Sequence, residues 1–217
     1  MSIAAFEGSS EVNSFTSKFD YYKKEMVELT KEEEMGMALF NDENKGKCFL
    51  CHPSEPDSDH EPNYALFTDF TFDNLGVPKN PKNPFYAMDK VYFSDGSAIN
   101  PEGENWIDKG LGGFLATRSE WSAMADENMG KHKVPTLRNV GKKPGNGYIK
   151  AYMHNGVFKS LKEVVHFYNT RDVEVWPAPE VPENVNNDEL GNLGLTDEEE
   201  NAIVAFLNTL SDGYKLK

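Results

Sequence analysis

The fold is decided by the stretch Cys48-Phe49-Leu50-Cys51-His52, which contains both cysteines of the chain and a histidine directly after the second one. Without a third cysteine, neither a disulfide framework nor a four-cysteine zinc site can form. C-x-x-C-H is instead the attachment signature of a c-type haem. The pattern therefore predicts one covalently bound haem c.

The spacing of the motif suits this chemistry. Cys48 and Cys51 fall on one side of a helical turn, so both thiols can reach the two vinyl groups on one edge of a porphyrin. His52 then supplies the imidazole that binds the iron on the proximal side. Zinc held by these three residues and His60 would need an unusual spacing. A redox-active C-x-x-C normally lies beside a strand in a βαβ unit, and no such context is visible.

The composition is that of an acidic globular protein. The 217 residues include 22 Lys and Arg against 36 Asp and Glu, a net charge of −14. Nucleic acid is an improbable partner, because phosphate backbones are bound by clustered basic residues. An acidic surface instead favours a partner with a basic docking face. The longest apolar run, around 202–207, is far shorter than the about 20 residues of a membrane span.

Three helices are predicted from capping boxes, in which a hydroxyl stands three residues before a glutamate. These boxes begin at Thr30, Ser160 and Thr196. The helices after Ser160 and Thr196 each carry one apolar stripe at helical spacing. A weaker helix or arm is predicted before Thr30.

The remaining segments predict little further regular structure. A short helix is expected over 118–128, with strands at 90–93 and 68–72, between long loops rich in Pro, Gly, Asn and Asp. We therefore expect a mainly α fold: a single cytochrome c-type haem domain over 29–217, with long loops and little β structure. Residues 1–28 are expected to form an N-terminal helical arm.

Several segments together resemble the bacterial dihaem cytochrome c peroxidase family, including its MauG-type members. The similarity runs in order from about residue 29 to residue 210. It is carried by these segments: LTKEEEMGMALFNDENKGKCFLCH (29–52), LFTDFTFDNLGVP (66–78), VPTLRNV (134–140), AYMHNGVFKSLKEVVHFYN (151–169) and LTDEEENAIVAFLNTL (195–210). This chain resembles the C-terminal, electron-transfer half of that family, and the segments 3–7 and 17–22 resemble the end of the preceding half, so 1–28 is either an arm or a remnant of that half. The family carries two C-x-x-C-H motifs, whereas this chain has one.

The residues alone leave the distal iron ligand open. The candidates carry a sulfur, imidazole or phenol group: Met124, Met129, Met153, His132, His154, His166 and Tyr168. In the family that the chain resembles, this ligand is Met or Tyr and stands fourteen residues after the histidine of an aromatic-x-His-x-Gly segment. The resemblance therefore implies Tyr168, fourteen positions after His154, with Met153 as the alternative ligand.

Two further features concern the surroundings of the haem. Arg138 could pair with a haem propionate through a bidentate charge-assisted contact, or it could be a solvated side chain. The family has a calcium site between its two halves, using carbonyls that would match Ile149 and Ala151. A longer, basic loop over 141–147 precedes these positions, and the other half is absent, so calcium is doubtful for this chain.

The resemblance implies an oxidoreductase of the peroxidase family whose role is electron transfer with a redox protein or a second haem domain. The alternative is an enzyme, a single-haem peroxidase or oxidase with an open or displaceable distal ligand. A haem-based ligand-binding or sensing module is a third possibility. Because bacteria attach haem c outside the cytoplasm, a periplasmic or otherwise extracytoplasmic location is expected. Residues 1–6 do not have the pattern of a signal peptide.

Overall fold

Helices dominate the computed structural model of the chain, which describes residues 2–12, 14–56, 64–86, 88, 92–98, 101–145 and 147–216. The six α-helices are α1 (Ser2–Glu7), α2 (Lys18–Lys23), α3 (Lys31–Phe40), α4 (Gly110–Ala116), α5 (Leu161–Thr170) and α6 (Asp197–Asn208). Short 3₁₀ turns occur at Cys48–Leu50, Gly103–Asn105, Ser122–Met124 and Asp126–Asn128. The prediction of a mainly α fold with long loops is confirmed.

The regular β structure of the described residues is one small antiparallel pair. Strand β1 (Phe72–Asp73) pairs with β2 (His132–Lys133), and Asp73 lies opposite His132. Of the strand predicted at 68–72, only the last residue, Phe72, lies in a β-strand. Of the strand predicted at 90–93, residues 90 and 91 lie outside the described residues, and Tyr92 forms an isolated bridge with Ala98.

Side-chain caps begin the three predicted helices. Thr30 and Thr196 each accept a hydrogen bond from the backbone of the glutamate three residues later, and that glutamate returns the contact, completing the box. Ser160 caps α5 in the same way, but the Glu163 carboxylate accepts from the Lys159 N–H at 2.7 Å rather than from the Ser160 N–H. The capping box predicted at Ser160 is therefore only half formed.

The core is built on the crossing of α3 and α6. Gly36 lies directly against Ala202, because a Cβ at position 36 would overlap the Ala202 carbonyl. Three fully buried rings pack edge to face beneath the crossing: Phe40 lies 5.2 Å from Phe206 and 6.0 Å from Phe67 between ring centroids. Such pairs add about 0.5–1.5 kcal/mol each beyond the burial of their apolar area. This crossing forms one side of the core, and α5 packs against it.

The helix predicted over 118–128 is wrong in position. The α-helix of this region is α4 at 110–116, and the predicted segment contains two 3₁₀ turns instead. Glycines at 110, 112 and 113 make α4 a poor helix by intrinsic propensity. Tertiary contact holds it, since the Leu111 N–H donates to the Lys131 carbonyl at 2.8 Å. The space beside Gly112 is taken by the backbone of Ala125 and Met129.

The segment before α3 contains a helix, as predicted, and α2 is packed into the core. Ser17 caps it, and Phe19 is buried among the rings of Phe67 and Phe206. The Phe19 N–H donates to the Thr209 carbonyl at 3.1 Å. α1, in contrast, has no buried residue. Separation of residues 1–28 from the haem domain stays a prediction.

Among the described residues, none of the helices combines the length and the apolar character needed to cross a bilayer.

Candidate haem site

The C-x-x-C-H motif forms a tight turn that residues 41–47 connect to the end of α3. Lys47, just before the turn, adopts a left-handed conformation with φ of 54°. The 3₁₀ turn then runs through Cys48 to Leu50, and the His52 N–H donates to the Cys48 carbonyl at 2.9 Å. Gly46 lets this turn approach α3, since a Cβ there would overlap the Leu39 carbonyl. Both cysteines are free thiols.

One large cavity opens beside this turn, with a volume of about 520 Å³. Cys48, Cys51 and His52 all line it. Much of its wall is apolar and comes from α5, α6 and the loops around them, including Leu161, Val165, Ile203 and Leu207. The volume is in the range of small-molecule and cofactor sites, about 300–1,000 Å³.

The proximal imidazole is held in one orientation. His52 Nδ1 lies 2.8 Å from the carbonyl oxygen of Phe67, which can only accept, so the proton is assigned to Nδ1. Burial lowers the pKa of His52, which favours the neutral ring. In this tautomer the lone pair of the ring is on Nε2. A backbone acceptor on the second ring nitrogen is the usual arrangement for a metal-binding histidine.

The two thiols are kept protonated by their surroundings. Burial raises the pKa of Cys48 to about 12. Burial together with the nearby carboxylate of Glu189 raises the pKa of Cys51 to about 12 as well. Cys51 Sγ lies 3.7 Å from Glu189 Oε2.

Tyr168 lines the same cavity from α5. The structure gives its hydroxyl no hydrogen bond to a residue that it describes. Burial, with the nearby thiols of Cys48 and Cys51, raises the pKa of the phenol above its usual value. Phenolate formation in this cavity therefore needs a cation close to the oxygen.

Three of the other candidate ligands line the cavity as well, and three do not. Met153 is among those that do, with a left-handed backbone at φ 67°, together with His132 and His154. Met124, Met129 and His166 lie outside the lining. His166 Nδ1 instead contacts Glu200 Oε1 at 2.9 Å. The cavity lining thus reduces the number of candidate distal ligands, but it does not decide between Tyr168 and Met153.

Arg138 lines the cavity, but its guanidinium is engaged elsewhere. Nη1 donates to both carboxylate oxygens of Asp20 at 2.8 Å, and Nε donates to the Ala65 carbonyl at 2.8 Å. The side chains are only 7% and 2% exposed, so this is a buried ion pair rather than the solvated arginine that was the alternative. Contact with a haem propionate stays a prediction.

Two features of the site were not predicted. The Phe67 carbonyl that orients His52 is a backbone atom, so no side-chain pattern could reveal it. Lys150 lines the cavity and donates to the backbone carbonyls of Asn139 and Val140 at 3.0 and 2.9 Å. A single lysine after the basic loop matches no sequence pattern, so its position in the cavity wall could not be predicted.

The donor set fits a covalently attached haem. Two thiols, an imidazole and a phenol belong to the residues that line one largely apolar cavity of about 520 Å³. Cys48 and Cys51 would hold the porphyrin edge, and His52 with Tyr168 or Met153 would hold the iron. A zinc site would not explain the large apolar wall of the cavity.

The fold and this motif define a mainly α domain of the cytochrome c type. No protein-family model matches the chain. Curated relatives do match: MauG, a methylamine utilization protein of Paracoccus denitrificans, is 32% identical over 97% of this chain and 50% of its own length. The cytochrome-c peroxidase IdrP1 of Denitromonas iodatirespirans is 29% identical over 96% of this chain and 48% of its own length.

A solved structure agrees with these relatives. The dihaem peroxidase BthA from Burkholderia thailandensis superposes with a TM-score of 0.70 at 32% identity, covering 94% of this chain and 48% of that one. The homologues of this chain are thus MauG and dihaem cytochrome c peroxidases, at about 30% identity over most of its length, which confirms the resemblance stated from the sequence. The chain spans about half the length of these relatives.

Proposed function

We propose that this chain is an electron-transfer domain with one covalent haem c, related to the electron-transfer half of the dihaem peroxidases. One observation carries the proposal: His52 and Tyr168 line a single cavity beside two free thiols. Two protein ligands on one iron leave no open position for a substrate. Such a site favours electron transfer over peroxide chemistry.

Each residue has a separate task in this proposal. Cys48 and Cys51 form thioethers with the porphyrin, and His52 provides the proximal nitrogen, oriented by the Phe67 carbonyl. Tyr168 provides the distal oxygen, with Met153 as the alternative. The haem, when bound, supplies a one-electron Fe(III)/Fe(II) couple. The transfer breaks no bond, because one electron arrives from a reduced partner and one leaves to an oxidised partner.

The names of the relatives support the haem and the redox chemistry. They are MauG and cytochrome-c peroxidases, and the neighbouring structure is a dihaem peroxidase. This chain spans about half of those proteins and contains one C-x-x-C-H motif. Peroxidase activity of the whole relatives is therefore not assigned to it.

The partner and the compartment follow from charge and chemistry. A net charge of −14 favours a redox protein, or a second haem domain, with a basic docking face. Attachment of haem c requires a periplasmic or otherwise extracytoplasmic location.

A second candidate is a single-haem peroxidase or oxidase. It is favoured by the relatives' names, and it requires a distal ligand that is absent or easily displaced. The two functions differ in the coordination number of the ferric iron. Six-coordinate iron supports electron transfer, whereas five-coordinate, high-spin iron supports the enzyme.

The test is the optical spectrum of the ferric holoprotein, after its mass has confirmed one haem per chain. We expect a six-coordinate spectrum without the near-infrared sulfur-to-iron band of His/Met cytochromes. Tyr168→Phe should give a high-spin spectrum and new cyanide binding, because the phenol oxygen is the distal ligand. The matched control is Tyr152→Phe: Tyr152 lines the same cavity, but its hydroxyl donates to the Val140 carbonyl at 3.3 Å.

The alternatives give different results in the same experiment. If Tyr168→Phe leaves the spectrum unchanged while Met153→Ala alters it, the distal ligand is the methionine. A five-coordinate wild-type spectrum would instead support the peroxidase or oxidase. A mass without haem would contradict both functions.

A further inference from the structure

A second group of potential ligands lies at the edge of the cavity, in addition to the haem residues. It consists of Asp108 before α4, His132 on β2, and His154 in the loop before α5. One ligand atom from each residue lies within 4.8 Å of the others. The two imidazole rings stack, with centroids 3.8 Å apart and planes inclined by 8°. Three distant parts of the chain thus bring metal-binding side chains together.

A buried carboxylate organises this group. Glu180 has a side chain only 1% exposed, and its Oε2 lies 3.3 Å from His154 Nε2. Its Oε1 accepts from the backbone N–H of Asp108 at 3.0 Å and from the Tyr86 hydroxyl at 2.6 Å. Asn155 also donates to Oε2. Glu180 therefore fixes the positions of both Asp108 and His154.

Glu180 is ionised in this environment. Burial alone would raise its pKa, but hydrogen bonds from His154, Tyr86, the Asp108 backbone and Asn155 outweigh burial and lower the pKa to about 2. The ligands of this group, one carboxylate and two imidazoles, suit a divalent transition-metal cation.

The remaining lone pairs are available for such a cation. Nε2 of His154 contacts Glu180, so Nδ1 of His154 is the ring nitrogen that remains for a metal. The ring of His132 makes no hydrogen bond with any residue in the described part of the chain. Asp108 uses Oδ1 to accept from the Gly110 N–H at 3.0 Å, which leaves Oδ2. A carboxylate on the second nitrogen of a histidine is the usual support for a metal ligand.

We propose that Asp108, His132 and His154 bind a divalent transition-metal cation, with Glu180 as the positioning residue. Two imidazoles and one carboxylate form a ligand set typical of zinc and of other first-row metals. One ring must tilt out of the stack on binding, because the lone pairs of parallel rings do not converge on one point. The site uses none of the proposed haem ligands, although His132 and His154 also line the haem cavity.

Zinc chloride is the probe, and the haem-loaded protein is the sample, so that Cys48 and Cys51 are blocked by their thioethers. After treatment with a chelator, the protein is dialysed against zinc, and zinc and iron are measured per chain. We expect about one zinc ion per haem iron. His132→Asn and Asp108→Asn should each weaken zinc binding by at least about tenfold, since changes in the outer shell alone already cost 10–100-fold.

His166→Asn is the matched control. His166 also contacts carboxylates, Glu200 and Glu174, but it is not part of the proposed ligand group, so its loss should leave zinc binding unchanged. Binding of less than one zinc ion per iron at micromolar zinc would overturn the proposal. Wild-type affinity in both His132→Asn and Asp108→Asn would also overturn it. If one variant does not fold, the other still decides, because they lie on separate elements.

Discussion

At the scale of single residues, Glu200 shows how a buried charge is retained in α6. Its side chain is 4% exposed. Burial opposes ionisation, but hydrogen bonds from Lys162, Asn169 and His166 outweigh burial and lower its pKa below the usual 4.5. The carboxylate thereby joins α6 to α5 at the first turn of α6. A group with a lowered pKa stabilises the fold above its unfolded pKa, and this contribution is lost as the pH falls through the folded pKa.

Glu200→Gln is expected to destabilise the protein at pH 7 by about 1–3 kcal/mol, because it removes charged hydrogen bonds from a buried site. Below about pH 4.5 the wild type loses the same contribution, so the difference between the two proteins should shrink. Urea unfolding at neutral and acidic pH measures this. The control is Glu198→Gln, on the exposed side of the same turn. Equal losses for Glu198→Gln and Glu200→Gln at pH 7 would contradict the expectation.

The C-x-x-C-H motif could be recognised in the sequence because its residues are local. Cys48, Cys51 and His52 lie within one turn, so their spacing alone carries the prediction. Arg138 lies far from Asp20 in the chain, and no pattern connects them. The sequence therefore allowed both a propionate contact and a solvated side chain, and the buried ion pair only became visible in the structure.

At the scale of elements, the crossing of α3 and α6 depends on Gly36. Besides the Ala202 carbonyl, a Cβ at this position would lie 2.9 Å from the Cβ of Phe206. The obstacle includes backbone, which cannot rotate away as a flexible side chain could. Gly36→Ala must therefore push the two helices apart.

We expect Gly36→Ala to cost about 3 kcal/mol of folding free energy, at the upper end of the range for overpacking. Chemical denaturation of the holoprotein gives the value. Gly145→Ala is the matched control, since a Cβ there meets nothing within 4 Å. Its effect should stay within about 1 kcal/mol. Similar effects of the two substitutions would show that the helices can separate without loss.

Helices were predictable where the chain marks their beginnings. Thr30, Ser160 and Thr196 are followed by glutamates three residues later, and α3, α5 and α6 begin at the next residue in each case. α4 has no side-chain cap, and its glycines give no helical signal. Its backbone is fixed by contacts with residues 125–131, which are not visible in a local pattern.

At the scale of the whole molecule, the Arg138–Asp20 pair joins α2 to the wall of the cavity. We expect Asp20→Asn to cost about 3–5 kcal/mol, because it leaves a buried guanidinium without its counter-charge. Thermal or urea unfolding measures the loss. Glu55→Gln is the control, since the Lys23–Glu55 pair is 45% and 69% exposed and should contribute less than about 1 kcal/mol. A small effect of Asp20→Asn would mean that α2 is not needed by the rest of the domain.

The two ends of the packed region lie side by side. The Tyr214 N–H donates to the Thr16 carbonyl at 3.0 Å, and the Thr16 N–H donates to Asp212 Oδ1 at 2.6 Å. A short linker could therefore join residue 214 to residue 14 with little entropic cost, and new termini could be opened in the exposed loop around Gly145. A circularly permuted chain of this kind would retain the same contacts in a different order. The fold thus depends on which surfaces pack together. The same packing is compatible with more than one order of the segments along the chain.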